Sequence, residues 1–79
     1  MSQALLEHLV HGIVSDQDAV HIAEGERHGE PALTVRVAER DRGAVIGRQG
    51  RTIRALEAVL KAAAGRAPVP SLEVVDDES

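Results

Sequence analysis

The sequence predicts an α+β domain, a three-stranded mixed sheet with three helices on one face. Three observations predict it. Apolar residues near the start recur with helical spacing, and two later segments alternate apolar and polar residues as strands do. Two helical segments separated by glycines then stand before a third strand. The order helix, strand, strand, helix, helix, strand makes the first two strands an antiparallel hairpin. The third, reached through a helical crossover, lies parallel to the second with the usual right-handed connection.

Leu5, Leu6, Leu9, Val10, Ile13 and Val14 form one face of an amphipathic helix, which Ser2 caps and Ser15-Asp16-Gln17-Asp18 ends at about Val14. Val20 and Ile22 mark a short strand, and Glu24 to Pro31 a polar hairpin loop. Leu33, Val35 and Val37 give the buried face of a second strand whose other face carries Thr34 and Arg36. Asp41 is placed to cap a short helical turn, Arg42 to Ile46, broken at Gly47. A long helix runs from about Gly50 to Ala64, with Gly65 suited to a left-handed C-terminal position. Ala67-Pro68-Val69-Pro70 is a stiff link, and Leu72 to Val75 is the last strand. Residues 1–76 are expected to form a single domain and 77–79 a frayed acidic tail.

Composition narrows the function. Apolar residues are 43% of the 79, too many for a disordered segment. A domain this small buries only roughly 60% of its unfolded surface, so it relies on well-packed elements or a partner subunit. The absence of cysteine excludes a disulfide framework, a thiolate metal site and a thiol nucleophile. The absence of Phe, Tyr and Trp excludes stacking of bases on rings. Hydroxyl side chains are few and no paired carboxylates are evident, so the chain reads as a non-enzyme. His8 and His11 lack a third ligand at a recognised spacing and read as solvated, with no metal or cofactor expected. No apolar run nears the ~20 residues of a membrane span, and Met1-Ser2-Gln3 does not open a signal peptide. The expectation is a soluble, cytoplasmic protein with no membrane partner.

The net charge of −4 hides a split. Seven basic residues and two acids lie between Arg40 and Arg66, against two basic residues and eleven acids elsewhere. A basic face on an acidic body steers a polyanion to one side. Within this segment, Gly47 and Gly50 stand between the short helix and the long one. The start of a helix offers unpaired N–H groups and partial positive charge to a phosphate. Arg48 and Gln49 project from between the glycines, and Arg51 and Arg54 follow on the first turns. Glycine at 47 and 50 lets the chain turn sharply and lets another backbone approach without a Cβ in the way, leaving those amides open to a ligand. A corner whose glycines serve packing alone fits the same pattern. A P-loop does not: its first glycine falls on Val45 and its lysine on Arg51. The first glycine of a dinucleotide fingerprint falls on Val45 as well.

The string V-I-G-x-x-G-x-x-I-x-x-L over residues 45–56 resembles the signature of KH domains, and the element order resembles the type II KH arrangement. In length and layout the chain is similar to the small bacterial single-KH RNA-binding proteins, over about residues 1–76. This resemblance implies that Gly47, Arg48, Gln49 and Gly50 hold the backbone of about four unpaired nucleotides of RNA. Arg51 and Arg54 lie beside them. Val45, Ile46 and Ile53 would border an aliphatic groove with Val37 or Arg36 of the adjacent strand, and a variable loop at Gly65–Ser71 would face them. The resemblance also implies post-transcriptional regulation or RNA chaperoning, links to cell shape, and assembly as a homodimer or with a larger Jag-type KH protein. Three or four phosphate contacts imply a salt slope of about −2 to −3, hence weak binding by one module. A second module then supplies avidity.

The long helix suggests where. Ile53, Leu56, Leu60 and Ala63 form its core stripe, and Arg54, Glu57 and Lys61 a polar strip. Ala55, Ala58, Val59 and Ala62 fill the remaining arc as a candidate dimer interface, although alanine's helix propensity explains them equally well. The competing function is a protein-interaction module that keeps the fold, binds little RNA and works through this surface.

Overall fold

The computed structural model describes residues 2–76; the tail expected at 77–79 and the Ser2 side chain expected as a cap lie outside what it describes. Helix α1 spans Ser2–His11, shorter than its apolar pattern. Gly12 follows it, and the ladder tightens there: the Gly12 amide donates to the Leu9 carbonyl at 3.2 Å and Ile13 to Val10 at 2.9 Å. Val14 is still carried into the core, because its amide bonds the Val10 carbonyl at 3.1 Å. The Gln17 side-chain amide then donates to the carbonyls of His11 (2.7 Å) and Val14 (2.9 Å), satisfying acceptors that the helix end leaves open. Gln17–Ala19 form a short 3₁₀ turn.

Strand β1 spans His21–Arg27 and β2 spans Glu30–Val37, so most of the loop expected at Glu24–Pro31 is strand. They pair antiparallel from His21↔Arg36 to Arg27↔Glu30. The connection is only His28-Gly29, with φ of 56° and 80°, the positive values a two-residue hairpin turn requires. Past Ile22 both faces of β1 are exposed. It is an edge strand made by backbone pairing with β2, so no apolar alternation announces it.

Helix α2 (Glu39–Ile46) and helix α3 (Arg51–Ala64) carry the chain back to β3 (Ser71–Asp76), which pairs parallel to β2. The strand order is β1-β2-β3, the mixed sheet the element order predicts. Leu33, Val35 and Val37 face the core with Leu72, and Leu6, Val10, Val45, Leu56 and Leu60 meet them from the three helices. Those helices therefore cover one face of an α+β fold, each full burial of a Leu or Val contributing about 1.5–3 kcal/mol. The α3 stripe departs from expectation at its end. Ala63 is exposed and Ala64 half-buried, as the i+4 step from Leu60 dictates.

Asp41 does not cap its own helix. It sits in the first turn of α2, only 5% exposed, and its carboxylate reaches back to the segment after α1. One oxygen accepts from the Ser15 amide (3.0 Å) and hydroxyl (2.8 Å), and the other from the Asp16 amide (3.0 Å). Those two amides, Ser15 first, hold the Asp41 carboxyl below its ordinary 3.8, with smaller help from the Ser15 hydroxyl and the charge of Arg40, outweighing its burial. This tie anchors α2, and hence the corner that follows it.

Candidate functional site

Helix α2 ends where the Gly47 amide donates to the Gly43 carbonyl at 2.8 Å. Gly47 then takes φ 80° and ψ 163°, a region essentially reserved to glycine. Residues 48–50 make one 3₁₀ turn containing Gln49 at φ 56°, ψ 26°, and Gly50 at φ 74°, ψ 17° leads into α3. The Gly50 amide donates to the Gly47 carbonyl at 3.0 Å and the Arg51 amide to the Arg48 carbonyl. The amides of Gly47 and Gly50 are thus spent inside the protein, contrary to the expectation that they lie open to a ligand. What faces outward is the rim between them.

The two glycines also serve different ends. A Cβ at Gly47 would stand 2.6 Å from the Thr52 backbone nitrogen and 2.7 Å from the Thr52 Cβ, so that glycine allows a close approach within the chain. A Cβ at Gly50 would first meet Nη1 of Arg54, at 3.3 Å, which places that guanidinium beside the loop.

Arg48, Gln49, Arg51 and Arg54 are all exposed. Among the described residues, no carboxylate comes within ion-pair distance of these three arginines. The earlier part of the basic segment differs: Arg40 reaches Asp16 at 3.8 Å and Arg42 reaches Asp76 at 4.0 Å. Arg27, Arg36, Lys61 and Arg66 are likewise without an ion pair among the described residues, but only at the corner do three such cations fall within seven residues of chain.

Ile46 and Ile53 flank the corner, each half-buried. Val45 and Val37 are fully buried and supply no surface to a groove; both support it from within the core. Arg36 is exposed on the sheet face away from the helices, so it does not share the corner's side. In the segment after α3, Gly65 has φ 61° and Pro70 is half-buried, while residues 65–69 are exposed. Among the described residues, concavities also lie elsewhere. One of about 350 Å³ is bounded by Gln3, Glu24, Pro31 and Pro70, and one of about 420 Å³ by Asp16, Ala38, Glu39 and Arg40. Each contains a carboxylate, which suits neither to a phosphate. Ala55, Ala58, Val59 and Ala62 are exposed on α3, Val59 to 42%. Thr52, within the string at residues 45–56 and five residues beyond Gly47, is given no role by the sequence, and the structure brings it against Gly47.

The family profile described as "KhpA/KhpB, KH domain" matches residues 3–74. The chain is 46% identical over 76 residues to the RNA-binding protein KhpA of Streptomyces coelicolor, covering 96% of each. With the RNA-binding protein KhpA of Leifsonia xyli it shares 45% over 73 residues, 91% of this chain and 93% of the relative. With that of Thermotoga maritima it shares 37% over 71 residues, 90% of this chain and 95% of the relative. No solved structure matches at a significant level.

Proposed function

The chain belongs to the KhpA/KhpB family of KH domains, a family of RNA-binding proteins and not of enzymes, and from that premise we propose that its Gly47–Gly50 corner clamps single-stranded RNA. About four unpaired nucleotides lie along the corner, held by their sugar-phosphate backbone, with bases on the aliphatic surface of Ile46 and Ile53. One observation carries this reading. Arg48, Arg51 and Arg54 stand exposed around a single turn with no carboxylate in ion-pair reach among the described residues. On a chain of net charge −4, such a cluster favours a polyanion at that place.

The contact is modest, because release of counterions from three or four phosphates supplies weak, salt-sensitive binding. Tight binding comes from pairing two modules, as a homodimer or with a larger Jag-type KH protein, and the cellular role is post-transcriptional regulation or RNA chaperoning in the cytoplasm. The exposure of Val59 among Ala55, Ala58 and Ala62 favours a second reading, a dimerising module in which RNA contact is secondary.

Replacing Arg48 and Gln49 together with Asp tests the first reading. Crosslinking to single-stranded RNA is expected to disappear while the circular dichroism spectrum and the mass in solution stay as they were. Crosslinking that persists moves RNA contact away from the corner.

A further inference from the structure

Thr52 stands at an unspecified position of the string at residues 45–56, yet it is the residue that Gly47 faces most closely. The three heavy atoms nearest to a Cβ built on Gly47 all belong to Thr52: Oγ1 first, then the backbone nitrogen at 2.6 Å and Cβ at 2.7 Å. The α-hydrogen that takes the place of a side chain therefore points toward Thr52, and a weak Cα–H···O contact to the hydroxyl oxygen is the interaction available to it. Thr52 is half-buried, the second residue of α3, and so moves with a 14-residue helix fixed in the core by Leu56 and Leu60. The turn that follows Gly47 is under strain. Gln49, which is not glycine, holds φ 56°, and such a conformation persists only where its surroundings impose it.

We propose that Thr52 is the positioning residue of the corner. By seating Gly47 it holds Gln49 and Gly50 in left-handed conformation and so presents Arg48 and Gln49 on the outer rim. It touches no ligand itself. The proposal rests on the RNA reading only where affinity is concerned; the effect on the order of the loop does not depend on it.

Three substitutions separate the possibilities. Thr52→Ser keeps Oγ1, Thr52→Ala removes it, and Thr52→Val puts a bulkier methyl in its place. The amides of residues 48–50 are followed by nitrogen relaxation, and binding of oligouridylate by chemical-shift titration at low ionic strength, both well below each variant's Tm. The Ala and Val variants are expected to lose order at residues 48–50 and to bind about two- to fivefold more weakly, the range that loss of one weak Cα–H···O contact supplies. The Ser variant is expected to retain both properties. A purely structural role would lower Tm without changing loop relaxation below it. Wild-type relaxation at residues 48–50 in both the Ala and Val variants overturns the proposal. If no version of the protein binds oligouridylate, the RNA reading falls, and the relaxation data alone accept or reject Thr52.

Discussion

Gly47→Ala should be among the most damaging single-atom additions to this chain, and the cost follows from two separate effects. The first is conformational. At φ 80° and ψ 163°, a residue with a Cβ is strained by on the order of 1–3 kcal/mol. The second is steric. The new Cβ lies 2.6 Å from the Thr52 backbone nitrogen, and backbone cannot rotate aside as a side chain can. Relief requires α3 to shift against α2, and overpacking of this kind costs about 1–3 kcal/mol. Together they reach about 2–6 kcal/mol, against a total of about 4–12 kcal/mol for a domain this long. At roughly 4–8 °C per kcal/mol, Tm should fall by about 10 °C or more. Gly50→Ala is the internal comparison. It too has positive φ, worth about 1–2 kcal/mol, but its Cβ meets only the mobile end of Arg54, at 3.3 Å. Thermal melts followed by far-ultraviolet circular dichroism decide between them. A Gly47→Ala protein that melts within a few degrees of wild type, or above Gly50→Ala, would refute the close-contact assignment.

Other consequences can be measured independently. Because the fold lowers the Asp41 pKa, its stabilising effect is complete above the ordinary 3.8 and is lost as pH falls through the lower folded value. The Tm gap between wild type and Asp41→Asn should therefore hold steady at neutral pH and narrow below about pH 4; a gap that persists undiminished in acid rejects the Ser15–Asp16 tie. Gly43→Ala puts a Cβ into open space inside α2 and should add about 0.5–1 kcal/mol of stability, whereas a lower Tm would mean an unseen contact there. The logarithm of oligouridylate affinity should fall with that of salt at a slope of about −2 to −3, made shallower by about 0.7 in Arg54→Ala. An unchanged slope removes Arg54 from the phosphate contacts. Ala58→Arg, exposed on α3, should turn a dimer into a monomer in sedimentation while changing stability by only about 0.5 kcal/mol. A dimer mass retained in that variant excludes this face.

Local periodicity made much of the fold legible. Leu33, Val35 and Val37 alternate because one face of β2 meets the helices, and Leu56 and Leu60 recur at one helical turn because α3 lies on that face. Burial wrote these patterns into the residues. Strand β1 was only half legible, because pairing an edge strand needs backbone groups and leaves Glu24, Gly25 and Glu26 in water. The corner was recognisable from two glycines and their flanks, and Arg48, Gln49, Arg51 and Arg54 do stand exposed around it. Val45 and Val37 were placed on the groove because an apolar residue beside a loop looks the same in sequence whether it lines a surface or supports one from below. Full burial separates the two cases.

The order of residues alone determined the element sequence, the mixed sheet with its covering helices, and the location of a glycine-bounded, arginine-rich turn. Each depends on spacings of a few residues, which the chain records directly. Only the tertiary structure decided that Asp41 ties α2 to Ser15 and Asp16, that Arg40 and Arg42 lie within ion-pair distance of Asp16 and Asp76 while the corner's arginines have no such partner among the described residues, and that Gly47 faces Thr52 closely enough to exclude a Cβ. Those relations are set by close approach between separately positioned groups, and a distance in space has no counterpart in the spacing along a chain.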